Sequence, residues 1–337
     1  MRNGKGDTLT IFQQENGFLL ARMTHVGSSV RVTELLSIPT HEITGNPYTA
    51  LSSFRSEKKG FRDVNLVVSS SAFRHCIHEP ETASKTKNAD YIPEVVKQWL
   101  GTDKEDFFFQ VIDWATGNLV AVENPQSKLM LIGGMKTGAL EQLQRQILDA
   151  DFFPRRLESS VFLMLGLLKK LIQTGKVSGP VMLLELFEES GVLFVLPAEG
   201  EPMLRQIDSG YASMYEQIKK ELSLKDNRSA RKLLYSSTID LSDIGQQVIR
   251  PVYREIASIV GLFEVETGQS ISQMVVANGM PSQHWVFELL SKDLGMNLLS
   301  FDPRELGEMV GVEFDEAVEW IRDDNRILPL VAAMGVL

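Results

Sequence analysis

Five stretches of this sequence bring chemically capable residues together. Ile132-Gly133-Gly134-Met135-Lys136-Thr137-Gly138 has the glycines, lysine and hydroxyl of a phosphate cradle. The nucleotide-binding pattern GxxxxGK[ST] needs a glycine directly before the lysine, and Met135 stands there, so the stretch reads as a turn between a strand and a helix. His75-Cys76-Ile77-His78 offers three metal-ligand side chains within four residues. On a strand His75 and Ile77 face one side and Cys76 and His78 the other. Two ligands without a second cluster such as CxxC make a poor zinc site, so this reads as an edge strand with Cys76 unpaired and no metal. Asp302-Pro303-Arg304-Glu305 and Asp323-Asp324 could supply acid–base carboxylates. The first has the form of a helix N-cap with proline at N1, the second of a solvated face. Asn278-Gly279-Met280-Pro281-Ser282 joins a buried run, Gln273–Ala277, to a helix at Gln283–Leu294. Strand, glycine loop and helix make a candidate phosphate or adenosine site, and also an ordinary α/β turn. No Ser/His/Asp set can be assembled from the five histidines, so no catalytic residue is assigned.

The elements that must position these residues begin with a repeat. Phe12-Gln13-Gln14-Glu15-Asn16-Gly17-Phe18-Leu19-Leu20-Ala21 can be laid over Leu186-Phe187-Glu188-Glu189-Ser190-Gly191-Val192-Leu193-Phe194-Val195. Each copy reads as strand, tight turn and strand, with Asn16-Gly17 the strongest short-range hairpin signal. Gly17 and Gly191 are expected at equivalent turns, as residues that tolerate positive φ. A hairpin opening each of two similar halves predicts a duplicated α/β architecture with a cleft between lobes, the layout of actin-like and sugar-kinase-like ATP-binding folds.

Along the first half the pattern predicts a strand meander over Thr8–Pro39, a weak helix over Thr49–Lys59 and a strand at Asn65–Val68. An inserted α+β subdomain over 72–150 holds strands near Phe73–His78, Phe107–Trp114 and Lys128–Ile132, with helices at Tyr91–Leu100 and Gly138–Ala150. The apolar run Val161–Leu168 is too short to span a bilayer and reads, like the C-terminal stretch from Ile327, as a buried helix. Lys176–Pro180, rich in glycine and proline, is the expected boundary. Beyond it come strands at Val181–Leu196 and Met203–Ile207, then helices at Ala212–Leu222, Arg228–Leu234 and Ile244–Glu266. The domains are therefore 1–71 with 151–178 (first lobe), 72–150 (insertion) and 179–337 (second lobe).

A chain of 337 residues, 43% hydrophobic and 23% charged, has the composition of a folded protein with room for two cores. A net charge of −10 repels polyanions, and the basic residues come in scattered pairs such as Arg155-Arg156 and Lys169-Lys170, so nucleic acid is not an expected partner. One cysteine and no leader-like start point to the cytoplasm.

The order of several phrases along the whole chain resembles the PilM family, actin-like cytoplasmic proteins of type IV pilus assembly that are themselves similar to FtsA. These phrases are Leu148-Asp149-Ala150-Asp151-Phe152-Phe153-Pro154-Arg155-Arg156-Leu157-Glu158, Gly200–Gly210, Arg228-Ser229-Ala230-Arg231-Lys232-Leu233, Met274-Val275-Val276-Ala277-Asn278-Gly279 and Met334-Gly335-Val336-Leu337. An insertion over 72–150 is placed as in PilM and FtsA, unlike actin. The resemblance implies a duplicated actin-like (ribonuclease H-like) two-lobe fold. It also implies a scaffold at the inner membrane that binds the cytoplasmic tail of a PilN-like bitopic protein, in a groove between first lobe and insertion, with self-association as a further partner class.

ATP-binding relatives carry Asp-x-Gly in each lobe's hairpin, because phosphates need a side-chain-free backbone and magnesium waters need a carboxylate. Here Ile11 and Gln13 stand at those positions in the first hairpin, Glu185 and Phe187 in the second, and the adenosine loop's double glycine is reduced to Asn278-Gly279. The expectation is a degenerate cleft of Gln13, Gly17, Glu185, Phe187, Gly191, Asn278 and Gly279, no ATP hydrolysis and no resident cofactor. ATP with magnesium is the disfavoured alternative, as part of an active actin-like ATPase or FtsA-like filament former. The division-type relatives attach through an amphipathic C-terminal helix, for which no counterpart is expected before Leu337. A sugar-kinase reading ranks last, for want of a catalytic aspartate.

Overall fold

The computed structural model describes residues 8–15, 17–27, 29–39, 45–54, 62–80, 90–101, 103, 106–121, 127–236, 240–319 and 324–335. The chain opens with the meander β1 (Thr8–Gln14), β2 (Gly17–Val26) and β3 (Ser29–Pro39), then a 3-10 turn at Pro47–Phe54 and β4 (Arg62–Val68). There follow β5 (Arg74–His78), α1 (Tyr91–Leu100), β6 (Phe107–Asp113), β7 (Met130–Lys136), α2 (Thr137–Asp149), β8 (Phe152–Ser159) and α3 (Ser160–Gln173). The second half has β9 (Val181–Leu186), β10 (Gly191–Leu196), β11 (Met203–Ile207), α4 (Tyr211–Glu221), α5 (Asn227–Leu234) and α6 (Gly245–Thr267). It ends with β12 (Gln273–Val276), α7 (His284–Asp293), β13 (Asn297–Leu298), α8 (Pro303–Val310), β14 (Val312–Phe314) and α9 (Ile327–Met334).

Two sheets share one strand order. The first runs β14-β3-β2-β1-β4-β8 and the second β11-β10-β9-β12-β13. In each, a central strand pairs antiparallel with the return strand of its hairpin and parallel with the strand that follows the meander (β1 with β4, β9 with β12). The duplication expected from the hairpins is therefore present in the pairing itself. Every residue of β9 and β10 is buried, so these two strands are covered on both faces and read as nearly continuous apolar runs.

The hairpin glycines are not positive-φ turn residues of one kind. Gly191 is an extended strand residue whose added Cβ would lie 2.9 Å from Glu185 O and 2.9 Å from Leu186 Cδ2, so close approach excludes a side chain there. Gly17 opens β2 opposite Gln14, and Asn16 lies outside the described residues. The strand register also shifts the repeat. Ser69 N–H donates to Gln13 O (2.8 Å) and Ala277 N–H to Leu184 O (3.2 Å), which makes Gln14, not Ile11, the counterpart of Glu185. The overlay erred because the second hairpin is longer, and sequence matching aligned the turns instead of the ladders.

Compact units differ from the expected domains. One comprises Met1–Ile43, Arg62–Ser69 and Pro154–Leu337, the other Thr44–Phe61 and Ser70–Phe153. Residues 45–54, assigned from sequence to the first lobe, belong with the insertion, where the Asn46 side chain donates to Gln146 O (2.6 Å). The C-terminal part, assigned to the second lobe, returns to the first. There β14 pairs with β3, and α9, buried at all eight residues, packs against β1, β2, β4 and α3. A sheet face that apolar needs a cover, and chain proximity does not indicate which segment provides it.

Within the insertion the sheet order is β5-β7-β6, with α1 packed on one face around Ile92, Val96 and Val111. The glycine-rich stretch is no loop. β7 runs through Gly133, Gly134 and Met135 to Lys136, and α2 begins at Thr137. Gly134 is required because a Cβ would strike the Phe108 carbonyl oxygen on the neighbouring strand. Among the described residues no helix is long and apolar enough to cross a membrane.

Candidate interlobe site

The two hairpins meet at the ends of their parallel strands, where open α/β sheets place their ligands. Glu185 on β9 is fully buried there, with Oε2 accepting from Ser160 Oγ (2.8 Å) and Ser69 Oγ (3.1 Å). Ser69 follows β4 and Ser160 opens α3, so the first lobe supplies both donors and the second the carboxylate. Asn278, after β12, donates through Nδ2 to Ser69 Oγ (3.1 Å) and Leu186 O (2.7 Å), and accepts from Leu186 N–H at Oδ1 (3.3 Å). Glu185 Oε1 has no hydrogen-bond partner among the described residues. Burial pushes the Glu185 carboxyl up to about 7, against the opposing pull of the Ser160 and Ser69 hydroxyls. Three of these four residues thus form a hydrogen-bonded chain that joins the lobes through Glu185, and Asn278 extends it to Leu186 at the end of β9.

Above this clasp the hairpin tips bond to each other. Glu188 N–H donates to the Glu15 carboxylate (2.9 Å). The N-terminus of α4, whose free N–H groups would suit an anion, is used internally: Tyr211 N–H donates to Phe187 O (3.0 Å) and Ala212 N–H to Glu188 O (2.7 Å). Gly210 allows this approach, since a Cβ would collide with Phe187 O, Glu188 O (2.6 Å) and Ser190 N (2.6 Å). Tyr215 Oη donates to Glu188 Oε2 (3.0 Å), and Tyr211 Oη to Gln283 Oε1 (3.3 Å). What remains between Gln14, Glu15, Ser69, Phe187, Glu188 and Asn278 is about 10 Å³ of water-accessible space, room for roughly one water molecule.

Of the sequence-proposed residues, Glu185, Phe187 and Asn278 converge. Gln13 instead pairs in the ladder with Phe18, and its neighbour Gln14 lines the space. Ile11 is a core residue, and Gly17 and Gly191 hold strand positions. Gly279 packs under Phe287, its carbonyl accepting from Asn325 N–H (3.0 Å). Sequence reasoning missed Ser69, Ser160, Glu15 and Glu188; the one available signal was that Ser69 directly follows the apolar run of a parallel strand. Asp302 caps α8 as expected, accepting from Arg304 N–H (2.7 Å). Asp324 is not solvated: it is 4% exposed and pairs with Arg326, itself 1% exposed. Asp323 lies outside the described residues. His75 and Cys76 point to opposite faces; burial pushes His75 down to about 4 and Cys76 up to about 12. His78 meets the Tyr91 hydroxyl.

No family model matches the chain, and no curated protein does. Among solved structures, a chain of the PilM–PilN type IV pilus biogenesis complex is similar with a TM-score of 0.68 and 16% identity, covering 98% of both chains. The cytoplasmic domain of EpsL, an inner-membrane component of the Vibrio cholerae type II secretion system, covers 98% of this chain at TM-score 0.43 and 11% identity. A Bacteroides thetaiotaomicron protein with an actin-like ATPase fold and unknown function covers 88% at 0.45 and 10%. This chain has the duplicated actin-like fold.

Proposed function

We propose that this protein is a non-enzymatic, PilM-like scaffold of an inner-membrane type IV pilus or type II secretion-like assembly complex, peripheral at the cytoplasmic face and binding the tail of a PilN-like bitopic protein. The observation that carries the non-enzymatic reading is the direct bond between hairpin tips, Glu188 N–H to Glu15, across the place where phosphates would have to lie. The assembly role draws support from the full-length fold likeness to the PilM–PilN complex. The competing reading, an active ATPase or filament former, has one feature in its favour: Glu185 is a carboxylate at the second hairpin. That carboxylate is already bonded by the two serines Ser69 and Ser160.

Calorimetric titration with a synthetic cytoplasmic tail of the PilN-like protein from the same genome is expected to show saturable binding, unchanged by ATP. A tail that does not bind overturns the partner assignment. Millimolar ATP with magnesium is expected to give no phosphate release and no shift in thermal unfolding. A ligand at one hundred times its Kd would stabilise the fold by about 2.7 kcal/mol, a shift of several degrees, so ordered ATP or such a shift ends the scaffold-only reading.

A further inference from the structure

One helical hairpin concentrates basic residues, which elsewhere in the chain come in scattered pairs. Helices α4 and α5 and the turn between them carry Lys219, Lys220, Lys225, Arg228, Arg231 and Lys232 within fourteen residues, interrupted by Glu221 and Asp226, in a chain whose net charge is −10. Lys220, Lys225, Arg228 and Lys232 are exposed, and Arg228 and Lys232, four apart on α5, lie opposite its buried residues Ala230 and Leu234. Asp226 is occupied as the N-cap of α5, accepting from Ser229 N–H and Oγ (both 2.8 Å), and Glu216 is held by Lys219 and Asn227. At the tip between the helices Leu222 is 40% exposed, flanked by Lys220 and Lys225. The tip is ordered by Leu224 N–H to Lys219 O (2.9 Å), with Ser223 turning at φ 51°.

We propose that this α4–α5 tip is a contact surface for an anionic phospholipid bilayer. An exposed leucine flanked by two lysines places one apolar side chain at headgroup depth and the ammonium groups at the phosphates. Each cation near such a surface adds attraction that decays within a Debye length, and the acidic remainder of the chain is repelled, so contact through the tip also orients the molecule. Residues 220–223 and 225–226 of this helix–helix turn are all exposed, so the whole tip is free to approach a flat surface.

The test is co-sedimentation of the full chain with vesicles of phosphatidylcholine alone and of phosphatidylcholine with an equal part of phosphatidylglycerol, at low and high salt. Expected are binding to the anionic vesicles only, its loss at high salt, and a fall of at least about tenfold in the charge-reversed variant Lys220→Glu/Lys225→Glu/Arg228→Glu. Leu222→Ser should weaken binding less. A variant with Arg205→Glu and Arg254→Glu, elsewhere on the same lobe, should bind nearly as the parent does, and circular dichroism checks that all three variants fold. Equal binding to neutral vesicles, indifference to the tip substitutions, or capture of poly-glutamate without capture of vesicles would overturn the proposal. The tail titration uses no lipid, so failure of either experiment leaves the other standing.

Discussion

Glu185→Gln is expected to be more stable than the parent protein at pH 8 and indistinguishable from it near pH 4. The folded protein holds the Glu185 proton up to about pH 7, whereas the unfolded chain releases it near 4.5. Between those values the unfolded state binds fewer protons, so stability falls as pH rises through the window and is level above it. A shift of that size corresponds to about 3 kcal/mol. Glutamine retains an oxygen for the Ser69 and Ser160 hydroxyls and never ionises, so the difference between variant and parent should grow from near zero to about 3 kcal/mol. Urea unfolding at several pH values measures it. A difference that does not change with pH would mean that Glu185 does not carry this dependence, and that the clasp tolerates a charge.

The second large effect lies at the start of α9. Arg326 donates from Nε to Asp324 Oδ1 (2.7 Å) and from Nη2 to Asp324 Oδ2 (2.6 Å) and Ser37 Oγ (2.8 Å), almost out of contact with solvent. Asp324→Ala leaves that guanidinium buried without its counter-ion, at the start of α9 where the helix dipole also disfavours a cation. The expected loss is about 3–5 kcal/mol, roughly 10 °C in the thermal midpoint for a unit of this size. Asp324→Ala/Arg326→Met, which removes both charges, should recover much of it. If the single variant unfolds within about a degree of the parent, the pair is solvated in solution and the account of α9 docking fails.

How much could be read from the sequence follows from the range over which each feature is encoded. The hairpins, the fully buried strands β9 and β10, the apolar helix α3 and the Asp302 cap depend on residues two to four positions apart, and periodicity and turn chemistry report such neighbours directly. Asp324 was misread because an aspartate beside another aspartate looks solvated unless the arginine two residues on is known to be buried. Gly133 and Gly134 looked like loop residues because glycine serves both turns and close strand approach, and only the facing Phe108 carbonyl distinguishes them.

By itself, then, the sequence determined most of the long strands and helices and that the fold is built twice. The rest was decided in three dimensions. Ser69, Ser160, Glu185 and Asn278 form one site although Ser69 and Asn278 are 209 residues apart, and β14 and α9 cross back to a sheet begun by the first forty residues. Such contacts are set by which exposed apolar face remains to be covered and by the ladder register at strand ends. Neither leaves a local pattern, since hydrogen-bond partners across a closed loop of that length share no periodicity. The same reason hides the bond between the Glu188 main chain and the Glu15 carboxylate: both are ordinary turn residues until the two hairpins face one another.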